Sequence, residues 1–219
     1  ARLVDAFSSL GVKRTMDLNS FRRGFFLVIE GIDGSGKTTQ SMGLCKRLNS
    51  EGLKALYTSE PTENPVGLFI KAEVLEKGGF PPEVEALLFA ADRFQHQRDV
   101  IVPALNKGYI VVCDRFFYAS LAYQGARGVD LDWIRNLNSF ALKPDLAVYL
   151  DVPPEIALAR KRGKRDFLEY LELEERVRSM YMELVSRGEL LLLDGSGSIE
   201  DVGKHLYEEV KTNLRRSLR

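Results

Sequence analysis

The feature that most constrains this chain is the run Gly31-Ile32-Asp33-Gly34-Ser35-Gly36-Lys37-Thr38, which fits G-x-x-x-x-G-K-[ST] with flanks that give the pattern physical meaning. Phe25 to Glu30 before it is an apolar, strand-like run. Thr39 to Ser50 behind it carries Met42, Cys45 and Leu48 at helical spacing, and Gly52 stands where a helix stops. Strand, loop and helix in that order make a phosphate cradle. Gly31, Gly34 and Gly36 let the backbone curl so that N–H groups from Asp33 through Thr39, Ser35 included, point inward at an anion, and the helix presents its positive end to the same place. Lys37 then reaches the β- and γ-phosphates, and Thr38 offers a hydroxyl to Mg²⁺. Without those flanks the same residues read as a glycine-rich turn.

Downstream, strand-like and helix-like segments alternate. Lys54–Thr58, Tyr109–Cys113, Asp145–Asp151 and Glu189–Leu193 read as further strands, and Pro65–Lys77, Pro82–Asn106 and Ile199–Leu214 as helices, the second interrupted by Pro103. Pro153-Pro154 opens another helix. Five strands with helical crossovers predict an α/β fold: a doubly wound, five-stranded parallel sheet with helices on both faces and its ligand crevice at the strand carboxyl ends. With 219 residues, one domain over 24–219 is expected, preceded by an extension over 1–23 that carries no motif.

Basic and acidic residues number 31 each, so no global field favours nucleic acid or an anionic membrane. Cys45 and Cys113 show no ligand-like spacing, two histidines are too few for a zinc cluster, and no apolar run reaches about 18 residues. With no signal-peptide layout at the start, a cytoplasmic protein is expected, binding neither membrane nor nucleic acid.

Asp114 closes an apolar strand, where P-loop enzymes keep the carboxylate that holds Mg²⁺; read alone it is also a strand-end turn cap. Arg115 follows, and its planar fork suits a second phosphorylated substrate. Here the chain resembles the thymidylate kinase family. The matching pieces are Phe26 to Gln40, Glu60-Pro61, Leu87-Leu88-Phe89-Ala90-Ala91-Asp92-Arg93, Asp114-Arg115-Phe116, Ser120 to Gly125, and Pro144-Asp145 leading to Tyr149-Leu150-Asp151-Val152-Pro153-Pro154.

The resemblance implies a nucleoside monophosphate kinase-like P-loop fold, ATP as phosphoryl donor, dTMP as acceptor, a homodimer, and a small mobile lid over about 158–172. It implies that Phe89 stacks on thymine, where periodicity alone favours plain core packing. It implies that Arg93 bonds the base or the acceptor phosphate, that Arg115 and the Glu60-Pro61 pair line the acceptor site, and that Asp33 meets the acceptor nucleotide and its metal shell. Ser120 falls near the pyrimidine edge, Gln124 counts among the substrate-binding residues, and Tyr123 matches an aromatic that crowds the sugar 2′ position, though a half-buried helix tyrosine fits the local pattern equally. The basic run Arg160 to Arg165, read alone a solvated face or a nucleic-acid patch, resembles the lid. Because Gly34 and Ser35 carry no charge, the catalytic arginine is expected from that lid, at Arg162 or Arg165.

Ser59 stands where many bacterial relatives keep an acceptor-phosphate arginine. The expected activity is transfer from ATP-Mg²⁺ to dTMP. Its rivals are a related kinase for another nucleoside monophosphate or a deoxynucleoside, and a non-catalytic nucleotide switch. Against a guanine switch, Asn106-Lys107 lacks the aspartate that would complete the base-reading motif.

Overall fold

The computed structural model describes residues 24–160 and 167–217. Five strands form one sheet: β1 (Phe25–Glu30), β2 (Ala55–Ser59), β3 (Ile110–Asp114), β4 (Leu146–Asp151) and β5 (Leu191–Asp194). Their order is β2-β3-β1-β4-β5 and every pairing is parallel, with Leu27 opposite both Val112 and Leu146. All six residues of β1 are buried, which is why that strand reads as a continuous apolar run rather than an alternation.

Side chains on successive strand positions go to opposite faces, so each strand feeds two cores. Helices α1 (Lys37–Ser50) and α9 (Ile199–Ser217) cover one face, where Leu44, Leu48, Val202, Leu206 and Val210 meet Phe25, Leu27, Ile29, Val112 and Val148. The other face carries α5 (Phe117–Ala126), α6 (Leu131–Leu137), α7 (Pro154–Arg160) and α8 (Phe167–Ser186). There Phe26, Val28, Val111, Cys113, Ala147 and Tyr149 pack on Leu121, Ala122, Ile134, Ala157, Val177 and Tyr181. Truncating a fully buried member such as Leu27 to Ala would cost about 2–5 kcal/mol.

Asn64 caps α2 (Pro65–Phe69), its Oδ1 accepting the Gly67 N–H at 2.9 Å, and the helix widens into a π turn over Ile70–Leu75. Pro82 to Asn106 runs as α3 (Pro82–His96), a π turn (Gln97–Ile101) and α4 (Val102–Asn106). The interruption expected at Pro103 does not break the path: the proline sits in the first turn of α4, next to the wider turn, where a missing N–H is tolerated. Among the described residues, three helices went unread as elements in the sequence: α5, α6 and the 20-residue α8. The expected extension over 1–23 and the centre of the expected lid lie outside the described residues.

Candidate active site

Strand order reverses across β1, so its carboxyl end and that of β3 open onto one crevice. At the end of β1 the loop turns through Gly34 at φ 82° and Gly36 at φ 91°. A Cβ on Gly34 would lie 2.1 Å from the Ala157 carbonyl oxygen of α7, and one on Gly31 2.5 Å from Ser35 Oγ, so these positions admit no side chain. Gly36 opens α1 with no side-chain cap and no acidic residue in the first turn, which leaves the orphan N–H groups for an external acceptor. Ser35 Oγ is buried with no partner among the described residues, while Thr38 and Thr39 are exposed at the lip. Lys37 is tucked inward rather than facing solvent: Nζ donates to the Ile32 carbonyl at 2.8 Å. Burial, then Arg115, pushes its ammonium down to about 8, against the pull of Asp114, Asp33 and Glu30.

Thr38 Oγ1 donates to Asp114 Oδ2 at 2.6 Å, bringing a hydroxyl and a carboxylate together beside the loop. Arg115 adopts φ 68°, a left-handed conformation costing a residue with a Cβ roughly 1–2 kcal/mol. Three bonds hold it there. Its N–H donates to the Ile29 carbonyl at 3.0 Å, its carbonyl accepts the Cys113 thiol at 3.0 Å, and the next N–H, of Phe116, donates to Glu30 Oε1 at 2.7 Å. The turn throws the guanidinium back over the crevice, where Nη2 lies 2.5 Å from Asp33 Oδ1 and 3.3 Å from Tyr123 Oη. Glu30 is fully buried, its other oxygen accepting the Tyr181 hydroxyl at 2.8 Å; burial pushes its carboxyl up to about 7 against the pull of Arg115 and these two hydrogen bonds.

On the far side of the crevice, Glu60 follows β2 and joins Pro61 through a cis peptide bond. Glu60 Oε2 accepts Arg93 Nε at 2.8 Å, Oε1 lies 3.1 Å from His96 Nδ1, and His96 Nε2 lies 2.6 Å from Thr58 Oγ1. Arg93 also donates to Asn138 Oδ1 at 2.6 Å, reaches Ser120 Oγ at 3.5 Å, and stands 5.4 Å over the Phe116 ring. It is 1% exposed, held within this wall by these partners. Asp92 beside it holds the loop after Pro61, accepting the Thr62 N–H at 2.8 Å and hydroxyl at 2.6 Å. Glu60, His96 and Cys113 bring ligating atoms within 4.8 Å of one another, but the Arg93 cation already balances Glu60, and burial pushes the Cys113 thiol up, so this donor set is satisfied by protein alone.

A cleft of about 810 Å³ joins the two regions, from Gly195 to Ile199 past the phosphate loop, Asp114 and Arg115 to Ser59, Glu60 and Pro61. Lys71 and Arg160 line it as well; Lys71 was not singled out in the sequence, and Arg160 was named only as part of the basic run. Phe89 is half-buried on α3 and belongs to neither core cluster. Gln124 is buried on α5 and donates Nε2 to Glu85 Oε2 at 3.2 Å. Arg162 and Arg165 lie outside the described residues. The signal for Lys71 was its place on the helix after Glu60-Pro61, a cation less than two turns into that helix; that for Arg160 was the basic run itself.

A parallel sheet in this order, with a glycine cradle on its central strand and a carboxylate and strained arginine on the next, defines a P-loop nucleotide-binding protein whose cleft has room for a second anionic ligand. Residues 29–206 match the family model described as thymidylate kinase. The chain is 43% identical over 201 residues to a probable thymidylate kinase of Pyrococcus horikoshii, covering 88% of this chain and 98% of that one. A probable thymidylate kinase of Pyrococcus abyssi is 42% identical with the same coverage, and a thymidylate kinase of a Synechococcus strain is 42% identical over 197 residues, 86% of this chain and 95% of its own. The chain belongs to the thymidylate kinase family.

Proposed function

We propose that this enzyme transfers the γ-phosphoryl group of ATP to dTMP, giving ADP and dTDP. The observation that carries the reading is one cleft with two anion-seeking ends, the glycine cradle with Lys37 and the Arg115–Lys71 side beside Glu60-Pro61. An oxygen of the acceptor phosphate attacks the γ-phosphorus as the bond to the ADP oxygen breaks, so the protein has only to align two polyanions and offset charge on the transferred oxygens.

The loop N–H groups and Lys37 hold the β- and γ-phosphates. Thr38 and Asp114 form a hard oxygen pair, a donor set that fits Mg²⁺; when bound there the ion supplies charge neutralisation between phosphates. Asp33, Arg115 and Tyr123 border the acceptor sugar and phosphate, and Phe89 stacks on the base. The Arg93, Ser120 and Gln124 group supports that wall from within. Lys71 takes the acceptor-phosphate role left open at Ser59. Arg160 lines the cleft at the start of the basic run, and the catalytic arginine of that run is Arg162 or Arg165.

The functional unit is a homodimer. Leu87 and Phe94 on α3, and Leu68, Phe69 and Leu75 on the adjoining helix, are about half exposed, an apolar area suited to a second copy. Two buried, free cysteines suit a reducing cytoplasm, and among the described residues no helix is long and apolar enough to cross a membrane. A coupled ADP-release assay with ATP against a panel of nucleoside monophosphates and deoxynucleosides tests the assignment. Turnover greatest on an acceptor other than dTMP would overturn it.

A further inference from the structure

Helix α8 carries Glu174, a carboxylate 1% exposed that belongs to no motif. It faces the hydroxyl of Tyr123 on α5, with Tyr123 Oη 3.3 Å from Oε1 and 3.2 Å from Oε2. A phenolic hydroxyl has one proton to donate and two lone pairs to accept with. Both lone pairs are taken: Asp33 donates its backbone N–H at 3.0 Å and Arg115 donates Nη2 at 3.3 Å. Neither partner can accept a proton from the hydroxyl there, so the Tyr123 proton goes to Glu174. The hydroxyl is then saturated, and Tyr123 meets a ligand through its ring.

Four segments therefore converge on one oxygen: the phosphate loop through Asp33, the β3–α5 turn through Arg115, α5 through Tyr123 and α8 through Glu174. Arg115 also pairs with the Asp33 carboxylate, which closes the ring. Burial first, and the nearby Asp33 carboxylate second, push the Glu174 carboxyl up to about 7, while Arg115 and the Tyr123 hydrogen bond pull it down. The carboxylate is thus kept at a buried position whose local chemistry opposes charge, a choice that a purely structural helix would not need.

We infer that Glu174 is a positioning residue: by fixing the direction of the Tyr123 hydroxyl proton, it locks Asp33 of the phosphate loop and Arg115 into register with α8. The inference rests on the kinase reading above for its kinetic consequence alone. The phosphate loop, the β3–α5 turn and α8 are then one coupled unit rather than three.

The test uses the full chain and the variants Glu174→Leu, Glu174→Gln, Tyr123→Phe and the Glu174→Leu/Tyr123→Phe pair. Glutamine keeps an oxygen to accept the phenolic proton, so it is expected to retain kcat within about threefold, whereas leucine and Tyr123→Phe each lower kcat roughly 10- to 100-fold, the scale of one charge-assisted hydrogen bond in a reacting geometry. The double variant should be no worse than either single, because both remove the same link. In ¹H–¹⁵N spectra the Asp33 amide should shift alike in Glu174→Leu and Tyr123→Phe and stay near its parent position in Glu174→Gln. Losses that multiply in the double variant, or an Asp33 amide unmoved by Glu174→Leu, would overturn the inference. Should Glu174→Leu not fold, an Asp33 amide in Glu174→Gln displaced as far as in Tyr123→Phe overturns it too. If the parent enzyme fails to phosphorylate dTMP, the kinase reading falls while the amide shifts still decide the link.

Discussion

Glu30 offers a sharp test of the site's electrostatics, because a carboxyl at the end of the central strand with no exposed surface must be ionised against its surroundings. Its proton-binding constant rises from 4.5 to about 7 on folding, burial being the leading cause. The folded chain therefore binds this proton more tightly than the unfolded one. Stability from it is fully present below pH 4.5 and is lost as pH rises through 7. At about 1.4 kcal/mol per unit, the ceiling on that loss is about 3 kcal/mol by pH 8.

Glu30→Gln has no charge to desolvate. Its carbonyl still accepts the Phe116 N–H, while its amide turns a donor toward the Tyr181 hydroxyl and costs about 1 kcal/mol for the changed bond. The variant should therefore be the less stable protein at pH 5 and the more stable at pH 8. Glu174 contributes a slope of the same sign in both proteins, so the difference between the two curves isolates Glu30. Urea unfolding at pH 5, 6, 7 and 8 measures it. A difference that does not change with pH would refute the reasoning, for it would mean that Glu30 does not titrate where its burial says it must.

Lys37→Ala should abolish transfer with a small change in thermal midpoint, both read on one sample; retained turnover would remove the loop mechanism. Since the Lys37 ammonium sits near 8 in the empty site and phosphates will raise it, ATP binding at pH 8 should take up a fraction of a proton, seen as a buffer-dependent calorimetric heat, and no uptake would contradict the burial argument. Phe89→Ala should weaken dTMP binding by roughly 1–3 kcal/mol with little loss of stability, since the ring lies outside both cores; an unfolded variant or an unchanged acceptor KM would exclude stacking. Lys71→Ala should raise the KM for dTMP tenfold or so and leave that for ATP, with Lys71→Arg restoring it, on the scale of one ion-assisted phosphate contact; an effect on ATP alone would place Lys71 at the donor end.

The sheet and the phosphate loop were legible because both rest on local chemistry. The buried central strands β1, β3 and β4 must be apolar runs, and a left-handed cradle needs glycines at 34 and 36. Arg93 shows where that ends. It sits one helical turn past Phe89, which suggested a shared ligand-facing role, but its partners Glu60 and Asn138 are 33 and 45 residues away and only the fold brings them to it. Gln124 is similar, since Glu85 claims it from another helix. Helix α8 did leave a signal: Leu173, Val177, Tyr181 and Leu184 follow helical spacing and face the core. Its density of charges hid that stripe, and Glu174 with it. The turn at Pro103 went the other way, because the punctuation was real and a wider preceding turn absorbed it.

The topology also bears on how the chain is made. Strand β1 leaves the ribosome before the rest of its sheet: Asp145, whose carboxylate accepts the Phe26 N–H, follows 119 residues later, and Tyr181, which caps Glu30, follows 151 residues later. At about 5–20 residues per second, the central strand waits roughly 6 to 24 seconds for its β4 side. During that time Phe25 to Ile29 is an unpaired hydrophobic segment of the kind that seeds aggregation. Glu30 is solvated and charged in the nascent chain, where its ordinary carboxyl value applies, and it gives up much of that charge only when the finished sheet closes around it. The carboxylate that later pins the Arg115 turn thus serves first as a gatekeeper for the strand that carries it.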